Sequence, residues 1–376
     1  MKLIRIGELI ELNNEKNISG KLTKTDVVGM TITKEIIPTK ANLNNSDLNK
    51  FIIIRPNDFV YNPRTHGKRI GLGFNDTNKS FLISWNNISF RVKKTKLEEI
   101  NPIFLFMWFN RNEWDRNATF NSWGSSTEVF SWEEMCDMKI PLPNIKIQNK
   151  YVSIYKAMQD NLKVYQSKLN DLEITYTGYI EDLRKKYESK KINKYIELVT
   201  DSNTNLQYKL NDVMGISNEK IIIPTKANAS KNDLSKFTII KPNDFIYNPR
   251  NGVAIGLNRT KNNYIISWNN TAFRIKNEYT DKLNPRYLMM FFKRKEWNRR
   301  VRFDSWGSST EIYSFSDLGE TKVPIPSMEI QESVSNILDI YYKRKEYIEK
   351  VISIINKICP ILVKGAIQEG EKEKNE

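Results

Sequence analysis

Most of this chain is written twice, and that repetition limits its architecture more than any other feature. Ile37-Pro38-Thr39-Lys40-Ala41-Asn42 recurs as Ile223-Pro224-Thr225-Lys226-Ala227-Asn228. Pro56-Asn57-Asp58-Phe59-Val60-Tyr61-Asn62-Pro63-Arg64 recurs as Pro242-Asn243-Asp244-Phe245-Ile246-Tyr247-Asn248-Pro249-Arg250, at the same offset of 186. The offset falls to 185 at Gly71 and Gly256, then settles at 183. There Ile83-Ser84-Trp85-Asn86-Asn87 matches Ile266-Ser267-Trp268-Asn269-Asn270, and Ser122-Trp123-Gly124-Ser125-Ser126-Thr127-Glu128 matches Ser305-Trp306-Gly307-Ser308-Ser309-Thr310-Glu311. A repeat this long dictates two copies of one module.

Each copy ends on a Pro-x-Pro tripeptide, Pro141-Leu142-Pro143 or Pro324-Ile325-Pro326, followed by a different kind of sequence. Tyr151, Tyr155, Met158, Leu162, Tyr165, Leu169, Leu172, Tyr176, Tyr179 and Leu183 fall at alternating steps of four and three. That spacing predicts a coiled-coil helix needing one partner helix. Ile330, Val334, Ile337, Tyr341, Ile348, Val351, Ile355, Ile358 and Leu362 keep the same rhythm, broken only by Arg344, and supply the partner. Proline disfavours helix before it, so the Pro-x-Pro elements mark the passage from module to rod. Pro360 predicts a bend or an end late in the second rod, and the charged stretch from Glu369 reads as a frayed tail.

At 376 residues the chain is long enough for two or three cores. No apolar run reaches the ~18 residues of a membrane span, and the first residues lack a signal-peptide core, so the expectation is a cytoplasmic protein with no membrane partner. Two cysteines, Cys136 and Cys359, and one histidine, His66, cannot build a disulfide framework or a conventional zinc site. The net charge of +15 suggests a polyanionic partner, although lysines from an AT-rich genome would raise it too.

Within a module of about 140 residues the pattern is mixed. Phe51-Ile52-Ile53-Ile54, Phe81-Leu82-Ile83-Ser84 and the alternating Ile88, Phe90 and Val92 read as strands. From Pro102 to about Arg116 the spacing is helical, and Ser131 N-caps a short helix containing Glu133 and Glu134. The class is therefore α+β.

Candidate nucleic-acid contacts fall into groups. Asn62-Pro63-Arg64 and Asn248-Pro249-Arg250 enter loops from which Asn and Arg forks would meet base edges or phosphates; alternatively the tripeptide builds the turn and Arg pairs a carboxylate such as Asp58. The following loops differ, Thr65-His66-Gly67-Lys68-Arg69 against Asn251-Gly252-Val253-Ala254, which would let the copies read different bases. Lys40 and Lys226 close the repeated Ile-Pro-Thr-Lys stretches and join the set. Arg111 and Arg116 correspond to a denser cluster, Lys293, Arg294, Lys295, Arg299, Arg300 and Arg302, suited to phosphate. Ser125, Ser126, Ser308 and Ser309 offer hydroxyls to phosphate or cap the helix that follows. Trp85, Trp123, Trp268 and Trp306 read as core. No phosphate loop, cofactor turn or paired nucleophile and base repeats with the modules, and Glu188-Ser189-Lys190 lacks a strand-borne aspartate, so catalysis is not expected.

In order and duplication these elements resemble the specificity (S) subunit of Type I restriction-modification systems over almost the whole chain. That family closes each domain with a Gly-Ser segment, a short helix and Pro-Leu-Pro leading to a Gln, here Gly124-Ser125, Pro141-Leu142-Pro143 and Gln148, then Gly307-Ser308, Pro324-Ile325-Pro326 and Gln331. The usual Glu before the Gln is replaced by Ile147 and Ile330. The resemblance implies target recognition domains at 1–143 and 193–326, coiled-coil helices at 144–192 and 327–366 pairing antiparallel, and a disordered tail at 367–376. It implies a non-catalytic subunit reading one half of a bipartite site in double-stranded DNA with each domain, and docking methyltransferase and restriction/translocase subunits, which would hold S-adenosylmethionine and ATP; the chain itself needs no cofactor. A rod of roughly 43 residues at 1.5 Å each would span about 60 Å, suiting half-sites one DNA turn apart. The specificity chain of another restriction architecture, a lone nuclease or methyltransferase, and a coiled-coil protein scaffold without DNA specificity are the rival readings.

Overall fold

The computed structural model describes residues 3–65, 69–217, 219–225, 233–250, 254–307 and 310–373. The chain divides into two compact units, residues 1–164 with 349–376, and residues 165–348. Each unit holds one module and half of each long helix.

In the first unit the strands are β1 (Leu3–Arg5), β2 (Ile10–Leu12), β3 (Val28–Met30), β4 (Ile36–Pro38), β5 (Ile52–Ile54), β6 (Phe59–Tyr61), β7 (Leu72–Phe74), β8 (Phe81–Ile83), β9 (Ile88–Val92) and β10 (Lys139–Pro141). Helices α1 (Ile6–Leu9), α2 (Pro102–Phe109), α3 (Asn112–Phe120) and α4 (Trp132–Asp137) complete the module. A four-stranded antiparallel sheet, β2-β9-β6-β7, forms its centre. Every residue of β6 is buried because both sheet faces are covered. Phe59 stacks on Phe90 at 4.9 Å and meets Phe109 of α2 edge-on at 5.8 Å. Val60 instead joins Val28, Ile52, Ile54 and Ile83. That two-sided burial explains why the strand reads as an unbroken apolar run.

The expected helix from Pro102 to Arg116 is two helices. Asn101 caps α2, its Oδ1 accepting from Ile103 N at 2.8 Å, with Pro102 in the first turn. At Arg111 the backbone becomes extended, and the guanidinium lies over the Trp108 ring at 3.5 Å while donating to Trp108 O at 3.2 Å. The break lets α3 turn Trp114 inward against Phe109 and Phe130. Ser131 caps α4 as expected, its Oγ accepting from Glu134 N at 3.1 Å.

The second unit repeats the order: β11 (Ser189–Lys191), β12 (Ile196–Leu198), β13 (Val213–Ile216), β14 (Ile222–Pro224), β15 (Thr238–Ile240), β16 (Phe245–Asn248), β17 (Ala254–Leu257), β18 (Tyr264–Ile266), β19 (Thr271–Ile275) and β20 (Lys322–Pro324). Its sheet β12-β19-β16-β17 carries the same stacked pair, Phe245 on Phe273 at 4.7 Å. Helices α6 (Pro285–Lys293), α7 (Lys295–Asp304) and α8 (Phe315–Gly319) follow; the two long helices are α5, the first rod, Ile145–Lys186, and α9, the second rod, Met328–Lys372.

Each module is closed by its own two-stranded ladder, β1 with β10 and β11 with β20. The first rod consequently stops at Lys186 rather than 192, and Ser189–Lys191 belongs to the second module. A buried glutamine fastens each rod. Gln148 Oε1 accepts from Asn101 N at 2.9 Å and its Nε2 donates to Glu99 O and Pro143 O, both at 2.8 Å; Gln331 repeats this with Asn284 N, Lys282 O and Pro326 O.

Within the first unit Lys150 pairs with Glu369 at 2.9 Å and Asn144 bonds Glu373. Within the second, Tyr165 packs on Tyr347 and Tyr176 on Tyr341. In both, numbers rise along one rod as they fall along the other. The seam departs from its expected course at Tyr179, which is exposed, while Ile180 is buried with Leu183 in the second unit's core. The second rod also buries residues beside the seam, Leu338 and Tyr342 at one end and Cys359, Val363 and Ala366 at the other. Pro360 neither ends this helix nor detaches it: burial of Cys359, Leu362 and Val363 offsets the proline cost of about 3 kcal/mol. The tail read from 367 is helical to Lys372, held where Glu369 also accepts from Tyr151 at 3.0 Å. The second rod is long and apolar enough, by length and composition only, to cross a membrane.

Candidate nucleic-acid interface

Backbone register gathers three turns at one end of each central sheet. Tyr61 at the end of β6 pairs with Ile88 at the start of β9, so the turn Ser84–Asn87 and the turn after Tyr61 lie at the same edge. Asn62 Oδ1 accepts from Arg64 N at 3.0 Å; Arg64 then bridges to Val129, which bridges to Trp123. Phe130 N donates to Pro63 O at 2.8 Å. The second module repeats the arrangement: Tyr247 pairs with Thr271, Asn248 Oδ1 accepts from Arg250 N at 3.0 Å, and Arg250, Ile312 and Trp306 are bridged in turn.

The Gly-Ser-Ser-Thr turn depends on its glycine. Gly124 has φ +148°, and an added Cβ would lie 2.1 Å from Thr127 O; Gly307, at φ +143°, would meet Thr310 O at 2.2 Å. No L side chain fits there without moving the turn.

Arg64 and Arg250 are exposed, and among the described residues neither has a carboxylate partner. Asp58 is buried, accepting from Arg91 at 3.1 Å, Arg55 N at 2.8 Å and Asn13 at 3.0 Å. Burial pushes its carboxyl above the usual range against those bonds. The turn-building role thus belongs to the Asn side chains, and the Arg–Asp58 pairing is not formed. Lys40, Ser125 and Ser126 are exposed. His66, Lys68, Lys226, Asn251, Ser308 and Ser309 lie outside the described residues.

Arg69 donates to Asn112 Oδ1 at 3.0 Å and approaches Asp115 at 3.7 Å. With Arg116, Thr119 and Phe120 these residues line an open cleft of about 520 Å³. In the second module Arg299, Arg300 and Arg302 are exposed along α7. Arg299 is near Glu296 at 2.8 Å and Arg300 near Asp304 at 2.5 Å. Such exposed pairs exchange readily for phosphate because they hold little free energy.

Two expected contact residues are structural instead. Arg111 is committed to Trp108, and burial lowers its pKa. Arg294 is 2% exposed and paired with Glu181. Lys293 likewise faces Tyr341 and Tyr342, 4.7 Å from each ring centre, with its amine lowered to about 8 by burial. Lys293 ends α6 and Arg294 is the extended residue between α6 and α7, where the chain faces the core rather than solvent.

The four tryptophans reverse their expected placement. Trp85, Trp123, Trp268 and Trp306 are 67–72% exposed, whereas Trp114 and Trp297 are buried. Flanking residues carried the signal: Ser84 and Asn86 beside one, Ser122 and Gly124 beside another, are turn formers on both sides. Phe120 and Phe303, at the ends of α3 and α7, are also exposed, and nothing in the flanking sequence distinguishes them from core aromatics.

Beneath α3 lies a buried ion pair, Lys34 with Asp115. Its counterpart under α7 is Lys220, whose amine reaches Phe292 O and Asn298 Oδ1, with no carboxylate partner among the described residues. Burial, with Lys293 adding repulsion, lowers that amine to about 7. Among the described residues no three His, Cys, Asp or Glu side chains are grouped to hold a metal ion.

The fold is similar to that of the Type I restriction-modification system S subunit from M. genitalium, with TM-score 0.52 and 15% identity over 97% of this chain and 95% of that one. Two further chains align with lower scores. The HsdS subunit from Thermoanaerobacter tengcongensis gives 0.37, with 14% identity over 97% of this chain and 96% of that one. A chain solved in work on complex assembly and conformational transition of the type I R-M system gives 0.45, with 14% identity over 96% and 97%. No family model and no curated protein matches the sequence.

Proposed function

We propose that this chain is a sequence-specific DNA-binding specificity subunit of a Type I restriction-modification complex, with each module reading one half of a bipartite site. The observation that carries the reading is the pair of equivalent sheet ends, each presenting an exposed Arg, without a carboxylate partner among the described residues, beside a glycine-dependent turn and before a loop that differs in sequence between the copies. Fold similarity to the M. genitalium S subunit supports it. Arg64 and Arg250 have the fork geometry to read base edges, while Arg116, Arg299, Arg300 and Arg302 supply phosphate contacts.

The reading assigns the chain no chemistry of its own. Its rods pair as an antiparallel coiled coil and, with the modules, receive methyltransferase subunits; a restriction/translocase subunit completes the complex in the cytoplasm. S-adenosylmethionine and ATP belong to those partners. The two half-sites are similar and inversely arranged, because both come from one framework.

Methylome sequencing of a host expressing this chain with its methyltransferase tests the proposal. One bipartite motif with related, inverted halves is expected. Methylation that persists without the chain, or two unrelated halves, would count against it. A chain that binds partner proteins but enriches no DNA sequence would be a coiled-coil scaffold.

A further inference from the structure

Phe120 and Phe303 are 79% and 86% exposed, and the tryptophan three residues after each is also open to solvent. Among the described residues none of these four rings stacks on another. Leaving such apolar area in water opposes the usual burial of aromatics, at a cost that recurs at matched positions in both modules. Nor are the tryptophans on slack loops: Trp123 and Val129 exchange backbone hydrogen bonds at 3.0 and 2.9 Å, and Trp306 and Ile312 do so at 3.2 and 3.0 Å.

Charge identifies the occupant. Arg116 lies one helical turn before Phe120, and Arg299 one turn before Phe303, with Arg300 and Arg302 beside it. Exposed rings set among arginines suit a polyanion that also offers flat apolar faces, which is nucleic acid. The repeat adds a second argument. The loops at 65–69 and 251–254 differ, as base-edge readers must when half-sites differ, yet Phe and Trp are unchanged. A π-face accepts any base and so has no reason to diverge.

We propose that the Phe120–Trp123 and Phe303–Trp306 edges are aromatic wedges that press against base faces in duplex DNA and locally unstack each half-site. This rests on the DNA-reading function proposed above.

The test uses the full chain, a pool of random-sequence duplexes, and permanganate oxidation of unstacked thymines in the bound fraction. Wild-type protein is expected to bind and render thymines reactive. Trp123→Ala with Trp306→Ala should weaken binding roughly tenfold and abolish the reactivity, and Phe at both positions should restore both. All four rings are exposed, so the variants should fold; thermal melting checks this. Salt-sensitive wild-type binding with unreactive thymines, or with alanine variants that behave as wild type, would overturn the wedge alone. No wild-type binding to duplex would overturn the DNA-reading function as well. Normal DNA behaviour with lost capture of methyltransferase would assign these edges to a protein partner and overturn the wedge.

Discussion

Lys34 and Lys220 occupy one position of the repeat, and their partners differ. Asp115 accepts the first ammonium, while Asn298 stands where a carboxylate would accept the second. An unfolded lysine titrates near 10.4, and burial lowers Lys220 to about 7, so between those values the unfolded chain holds the extra proton. Stability of the second unit therefore climbs as pH rises through 7, and the cost of a buried charge is fully present below 7. Asn298→Asp should flatten that rise and increase the melting temperature at mildly acidic pH; an unchanged pH slope in calorimetry would refute the assignment. Gln148 provides a neutral counterpart. Gln148→Ala leaves the Asn101 amide without its acceptor and should cost about 1–3 kcal/mol in urea denaturation, against a few tenths for an exposed neighbour such as Lys156. The sequence located Gln148 as a rod-entrance marker, but its three hydrogen bonds required the fold, because Glu99 and Asn101 lie far earlier in the chain. Lys34 gave even less warning, since nothing local distinguishes it from a surface lysine.

At the scale of elements, the turns that build the candidate interface were legible in their chemistry and the helices beside it were not. Asn-Pro-Arg and Gly-Ser-Ser-Thr carry turn formers, and both occur as turns. The interruption at Arg111 is invisible to periodicity because a stacked guanidinium, not Pro or Gly, accompanies it. Without the break, Arg111 and Arg294 read as exposed members of a basic helix face. The burial of Arg294 leaves Lys295, Arg299, Arg300 and Arg302 as the exposed cations of α7 on which the proposed phosphate contacts rest. Replacing Arg299, Arg300 and Arg302 by Ala should weaken binding to all duplexes alike and flatten the log–log salt slope by up to about 2.7, measured by anisotropy. A selective loss for one sequence would instead make α7 a base reader. Gly124→Ala must shift Thr127 or the turn itself, so under the proposed function methylome sequencing should show reduced recognition of the half-site assigned to the first module and no change in the other half.

For the whole chain, duplication was readable from sequence alone, whereas the cut points between modules and rods came from pairing. β1 with β10 and β11 with β20 tie the first strand of each module to its last, so a module is a segment that begins and ends on one ladder. The seam rhythm could not reveal this, since Glu188 to Ile192 carry no strong strand pattern and adjoin a helix. Rod ends likewise bury Ile180 and Leu338 against module cores, a constraint that helix–helix spacing does not contain. The closed ladders make a module exchange rational. Substituting residues 3–141 for 189–324 retains each rod junction, Pro-x-Pro and buried glutamine included, while giving both recognition positions the same loops. If each module reads its half-site independently, the exchanged chain with its methyltransferase should methylate a site with identical, inverted halves, both matching the half assigned to the first module. Methylome sequencing would detect this directly. Retention of the original second half would mean that the rods or partner subunits, rather than the modules, carry base specificity.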